Sequence, residues 1–165
     1  MIKVKVAHLG IDPKTKQPVV ILKEVDGERV LPIWIGPNEA SAIATELAGV
    51  AFSRPLTHDL LKQIIIGLGG TLDRAVITEL KNDTFYAQLH IHRNDHVVQV
   101  DARPSDSIAV ALRLGAPIYA ADGMLGSATI DTIVPDEPQV GPLDPEDLKT
   151  YLQNLDPEDL GKFNP

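Results

Sequence analysis

The sequence predicts an α+β fold. Two strand-strand-strand-helix units pack largely antiparallel or mixed sheets on helices, and a short acidic helical tail follows. Three observations predict it. Short alternating or β-branched runs are separated by Asp26-Gly27, Asn82-Asp83 and Asn94-Asp95, which are hairpin turn signals. The order of three strands followed by helix occurs twice, though the halves share no convincing identity. Finally, no glycine-rich loop follows a strand, which disfavours a Rossmann or P-loop reading. Many hairpins argue for antiparallel pairing over a doubly wound sheet.

Each element has a local reason. Residues 2–9 alternate Ile2, Val4 and Val6 against Lys3, Lys5 and Ala7. Residues 18–25 are rich in Val, Ile and Leu, and residues 29–35 form the return strand after the Asp26-Gly27 turn. Gly36-Pro37 opens a helix, because proline is preorganised for the first helical position. Ala40, Ile43, Ala44 and Leu47 share one face of it, and Gly49 stops it. A second helix runs from about Thr57 to Leu68, with Gly69-Gly70 behind it. Strands follow over 71–80, 84–92 and 96–102. In the middle one Phe85, Ala87, Leu89 and Ile91 oppose Tyr86, Gln88, His90 and His92. Ser105 is read as the cap of a helix reaching Leu114, with Gly115 as its stop. Pro117 to Ala121 adds a short strand.

The division falls at residue 134. Residues 1–134 hold 15 acids and 13 bases; residues 135–165 hold eight acids against two lysines and six of the 13 prolines. The string Leu-Asp-Pro-Glu-Asp-Leu occurs at 143–148 and again at 155–160. Each copy sets aspartate as N-cap, proline at the first helical position, and two acids in the first turn. The tail is therefore read as two short helices. A net charge of −8 over 165 residues excludes a strongly basic nucleic-acid glove. The absence of cysteine excludes disulfides, thiolate metal sites and cysteine nucleophiles. No apolar run approaches the length of a spanning helix, and no leader is evident. The expected location is cytoplasmic, with no membrane partner.

Few residues nominate themselves for chemistry. No Gly-x-Ser-x-Gly elbow supports a serine hydrolase. His90, His92 and His96 could converge on a metal ion across one hairpin, but a histidine-rich wet strand face is the plainer reading. Glu39, Asp101 and Asp106 form an oxygen-rich set suited to magnesium or manganese, with Asp59 beside it. An acid in a first helical turn is also explained by the helix dipole, worth about 0.3–1 kcal/mol, which covers Glu39, Asp59 and Asp106. Asp101, ahead of its helix, has no such local explanation. Trp34 is read as core or interface.

Two similar strings stand out. Arg54-Pro55-Leu56-Thr57-His58-Asp59 and Arg103-Pro104-Ser105-Asp106 each place an arginine just before a helix start. Free backbone N–H groups and a guanidinium fork would together suit a phosphate, which makes Arg54, Arg103 and Ser105 candidate substrate-binding residues. The other reading is a structural clamp, in which the arginine pairs with the acid at the helix start. His58 is the best placed general acid or base.

At these strings the chain resembles the bifunctional nuclease domain family. The matching pieces are Leu31-Pro32-Ile33-Trp34-Ile35-Gly36 with Glu39 following; residues 54–61; Asp83-Thr84-Phe85-Tyr86-Ala87; and Asp101-x-Arg103-Pro104-Ser105-Asp106-Ser107-Ile108-Ala109. Their order and spacing match over about residues 2–131. The resemblance implies the two-unit α+β domain, assembly into a homodimer or higher homo-oligomer, and cleavage of both RNA and DNA. It carries no residue-by-residue mechanism.

Two functions follow as expectations. In the first, a nuclease, Arg54, Arg103 and Ser105 bind the phosphate. His58, Asp101, Asp106 and Asp59 are catalytic, and Asp101, Asp106 and Glu39 hold a divalent ion, Mg or Mn. In the second, the same strings hold the fold or a subunit contact in a non-catalytic oligomeric binding or regulatory module.

Overall fold

The computed structural model describes residues 1–126. The tail and its two expected helices lie outside the described residues. Ten elements follow in order. β1 is Ile2–Ile11, β2 Pro18–Glu24, β3 Val30–Trp34, α1 Pro37–Leu47 and α2 Thr57–Gly67. β4 is Thr71–Lys81, β5 Thr84–Arg93, β6 His96–Ala102, α3 Pro104–Leu114 and β7 Ile118–Ala120. The fold is α+β, with one mixed sheet of seven strands in the order β3-β2-β1-β7-β4-β5-β6. Every pairing is antiparallel except β4 with β7.

The two expected units share this single sheet, and three-residue β7 joins them. It pairs antiparallel with β1 through Val4↔Ile118 and parallel with β4 through Ala75↔Ile118. The hairpins sit where the turn residues place them. Asn82 and Asp83 both have positive φ, 50° and 56°, as a two-residue turn between β4 and β5 requires. Gly115 closes α3 in the left-handed region at φ 63°.

The core lies between the sheet and the helices. Val20, Leu22, Ile33, Ala75, Ile77, Ala87 and Leu89 of the strands meet Ile43 and Ala44 of α1 and Ile108 to Ala111 of α3. α3 packs against both other helices and over β4 and β5. α2 differs from its neighbours. It has no buried residue, although Leu60, Leu61, Ile64 and Ile66 are apolar.

One boundary expectation needs correction. Ser105 does not cap α3. Pro104 takes the first helical position, so Arg103, held extended ahead of the proline, is the N-cap. Ser105 is buried in the first turn.

Candidate functional site at three helix starts

Each helix carries an acid at its third position: Glu39 in α1, Asp59 in α2 and Asp106 in α3. Positive dipole ends favour carboxylates there. Two of the three converge on one arginine. Arg103 Nη1 lies 2.9 Å from Glu39 Oε1. Arg103 Nε and Nη2 donate to Asp106 Oδ2 and Oδ1 at 2.6 and 3.1 Å. The guanidinium thus bridges α1 and α3, with its side chain still 65% exposed. Three of its five N–H donors face carboxylates, which leaves two.

α2 brings in His58. Its Nε2 lies 3.0 Å from Asp106 Oδ1, and its side chain is only 12% exposed. Burial pushes the Asp106 carboxyl up, but the bonds from Arg103 and His58 outweigh it and hold the group below its ordinary value. An ionised carboxylate only accepts, so the proton between them sits on Nε2. A neutral His58 then presents Nδ1 as an acceptor.

Gly36 makes room for this arrangement. A Cβ at Gly36, the N-cap of α1, would collide with Glu39 Oε2, so glycine lets the Glu39 carboxylate fold back over the cap while reaching Arg103.

Asp59 stands next to His58 in sequence but has other partners. Its Oδ2 accepts from the Leu56 amide at 2.9 Å, and its Oδ1 accepts from Arg113 Nε at 2.7 Å. Burial raises its pKa, yet the Arg113 and Leu56 bonds bring it below the usual carboxylate range. Arg113, 2% exposed, also donates to the Ala42 and Ala109 carbonyls at 3.0 Å each. One buried guanidinium therefore ties α3 to α1 and α2. Local spacing gave no sign of it: an arginine in a last helical turn reads as a solvated dipole partner.

Four of the residues expected from the sequence therefore meet: Glu39, His58, Arg103 and Asp106. The others do not join them through any hydrogen bond or ion pair among the described residues. Arg54 is exposed in the connection ahead of α2. Asp101 pairs across β6 with Gln88, while its neighbour Ala102 pairs with buried Ala87. Alternation therefore puts Asp101 on the sheet face away from the helices. His90 is buried opposite Arg74, and His92 and His96 are exposed. Among the described residues no three His, Asp or Glu side chains are gathered closely enough to hold a metal ion. Glu39 and Asp106 already neutralise Arg103, and Asp101 faces elsewhere. As arranged, this donor set does not fit a resident divalent ion.

The fold and site define a class: an α+β protein with a charged cluster where three helices begin above a mixed sheet. The chain belongs to the bifunctional nuclease domain family, whose model matches residues 20–132. It is 42% identical over 164 residues to an "Uncharacterized protein" of Mycobacterium tuberculosis (strain CDC 1551 / Oshkosh), covering 96% of this chain and 97% of that one. It is 27% identical over 130 residues to Bifunctional nuclease 1 of Arabidopsis thaliana, covering 72% of this chain and 40% of that protein. With Bifunctional nuclease 1 of Oryza sativa subsp. indica it shares 26% over 103 residues, covering 60% of this chain and 31% of the rice protein. The chain thus spans under half of each plant protein. No helix among the described residues is long and apolar enough to cross a membrane.

Proposed function

We propose that this chain hydrolyses phosphodiester bonds of RNA and DNA at the cluster formed by Arg103, Asp106, His58 and Glu39. The observation that carries the reading is the exposed Arg103 guanidinium beside a histidine that a carboxylate orients. Family membership supports it.

The chemistry follows from the atoms. The two remaining N–H donors of Arg103 meet the oxygens of a nucleic-acid phosphate and offset its charge as the attack adds more. His58 Nδ1 takes a proton from water, and the water oxygen bonds to phosphorus. The phosphorus–oxygen bond to the departing sugar breaks, and that oxygen is protonated from solvent. Asp106 fixes the ring and stabilises the imidazolium while it persists. Glu39 holds the far side of Arg103. Arg54 is proposed to reach a neighbouring phosphate, since single-stranded nucleic acid presents several in a row. Asp59 keeps α2, and with it His58, in place. An Mg or Mn ion would be carried to the site by the nucleic-acid phosphates and not held by Glu39, Asp101 and Asp106.

The test is incubation of the purified chain with labelled single-stranded RNA and DNA in magnesium, manganese or EDTA. Products from both nucleic acids are expected. No cleavage in any buffer would overturn the reading. It would favour the non-catalytic module, for which Arg103, bridging Glu39 and Asp106 as an ion-pair clamp between helices, is the supporting observation.

A further inference from the structure

We propose that a cleft between the end of β3 and the start of β5 binds a nucleobase of single-stranded nucleic acid, the base next to the phosphate held by Arg103. The proposal rests on the reading of the Arg103 cluster as a phosphate site. The cleft measures about 580 Å³, within the roughly 300–1,000 Å³ of small-molecule sites. Its apolar walls include Trp34, Leu80, Phe85 and Met124. Two of the four strings that carry the family resemblance, residues 31–36 and 83–87, supply the two aromatic rings. Neither ring takes part in the hydrogen bonds and ion pairs of the Arg103 cluster.

Strand register sets the cleft beside that cluster. Ala87 of β5 pairs with Ala102, which directly precedes Arg103, and Phe85 stands two residues back along β5. Trp34 ends β3 two residues before Gly36, over which Glu39 folds to reach Arg103. Two residues of extended chain span about 7 Å, so both rings lie within a nucleotide's reach of the guanidinium. Leu80 pairs with Phe85 across the β4–β5 hairpin and continues the apolar wall.

The side chains suit a base and reject the sugar-phosphate backbone. Trp34, expected in the core or an interface, is 46% exposed. Its Nε1 donates to Asp12 Oδ2 at 2.9 Å, which satisfies the polar end of the indole and restrains the ring. A restrained, exposed aromatic ring is a stacking platform for any base. Among the described residues no lysine or arginine lines the cleft, whereas Glu79 and Asp122 do. Asp122 is paired with the N-terminal amine at 2.9 Å, and Glu79 has no ion pair among the described residues. The Glu79 carboxylate repels a phosphate and accepts hydrogen bonds from the N–H groups of a base edge. Charge thus sorts the ligand, with phosphate at Arg103 and the ring in the cleft. Stacking does not read the sugar, so RNA and DNA fit alike.

Trp34 is the sole tryptophan of the chain, so its fluorescence reports the cleft directly. The test titrates the full chain with a phosphorothioate octamer of deoxyadenosine, which resists hydrolysis, and with the same octamer lacking its bases. The base-bearing octamer is expected to quench Trp34 emission and to bind roughly 10-fold tighter than the abasic one. Leu80→Glu, checked for folding by circular dichroism, should abolish the quench and equalise the two affinities. Trp34→Ala, read by anisotropy of labelled octamers, should equalise them too. Equal affinities in the wild type, or no quench, would overturn the proposal. Cleavage of RNA and DNA is scored separately. Cleavage with equal octamer affinities removes the base cleft and leaves the hydrolytic reading, whereas quenching without cleavage keeps the cleft and removes that reading.

Discussion

Arg113 and Arg103 show how two arginines on one helix-centred scaffold do different work. Arg113 is buried among Asp59, Ala42 and Ala109, so its removal strips a buried carbonyl pair and a carboxylate of their donor. Arg113→Met is expected to lose about 2–4 kcal/mol in urea denaturation, with Asp59 one-third exposed and hydrated in the variant. Arg113→Lys should recover only part, because an ammonium cannot match the planar fork. Arg103 is mostly exposed, and its removal should leave stability within about 1 kcal/mol. The carboxylates add a pH dependence. Asp59 and Asp106 have folded pKa values below their unfolded ones, so they contribute stability above the unfolded value of about 3.9 and lose it as pH falls through the folded values. The share of the urea midpoint from Asp59 and Asp106 should stay full from neutrality to about pH 5 and be lost in acid, and it should add to an earlier decline below about pH 6.5, because burial holds the His8 and His90 pKa values down and the unfolded chain takes up those protons first. The fall should be shallower in Asp106→Asn. An equally steep acid fall in that variant would contradict the assignment.

At the scale of elements, local chemistry decides more than long-range pairing does. The hairpins and all three helices were readable because Asn-Asp turns, Gly-Pro starts and glycine stops act over a few residues. Gly115→Ala tests one such stop: at φ 63° the added Cβ should cost about 1 kcal/mol, read as a lowered urea midpoint. The start of α3 was misread because Ser105 is a good cap residue, whereas Pro104 fixes the helix one residue earlier. Of the candidate site, Glu39, His58, Arg103 and Asp106 were legible as residues at helix starts. Their mutual contact was not, since it depends on how α1, α2 and α3 pack. Asp101 illustrates the limit. Being next to a helix in sequence suggested a shared site with Asp106, but a strand alternates its side chains and sends this one to the opposite face. Arg113 left no local trace because its partners on the other helices, Asp59 and Ala42, lie 54 and 71 residues away.

At the scale of the molecule, the single sheet explains why the two halves form one site. β7, only three residues long, sits between β1 and β4 and makes the seven strands continuous. So short a strand carries almost no periodic signal, and the sequence therefore reads as two units without showing how they join. Continuity of the sheet sets α1 from the first half beside α3 from the second, which lets Arg103 reach Glu39. The central claim is that this junction hydrolyses phosphodiester bonds. The most direct measurement is the cleavage rate of single-stranded RNA and DNA by wild type, Arg103→Ala and His58→Ala, each with wild-type circular dichroism. A loss of roughly 100-fold or more in both variants on both nucleic acids is expected, in line with removing a charge stabiliser or a proton acceptor. Cleavage by both folded variants at the wild-type rate would contradict the account.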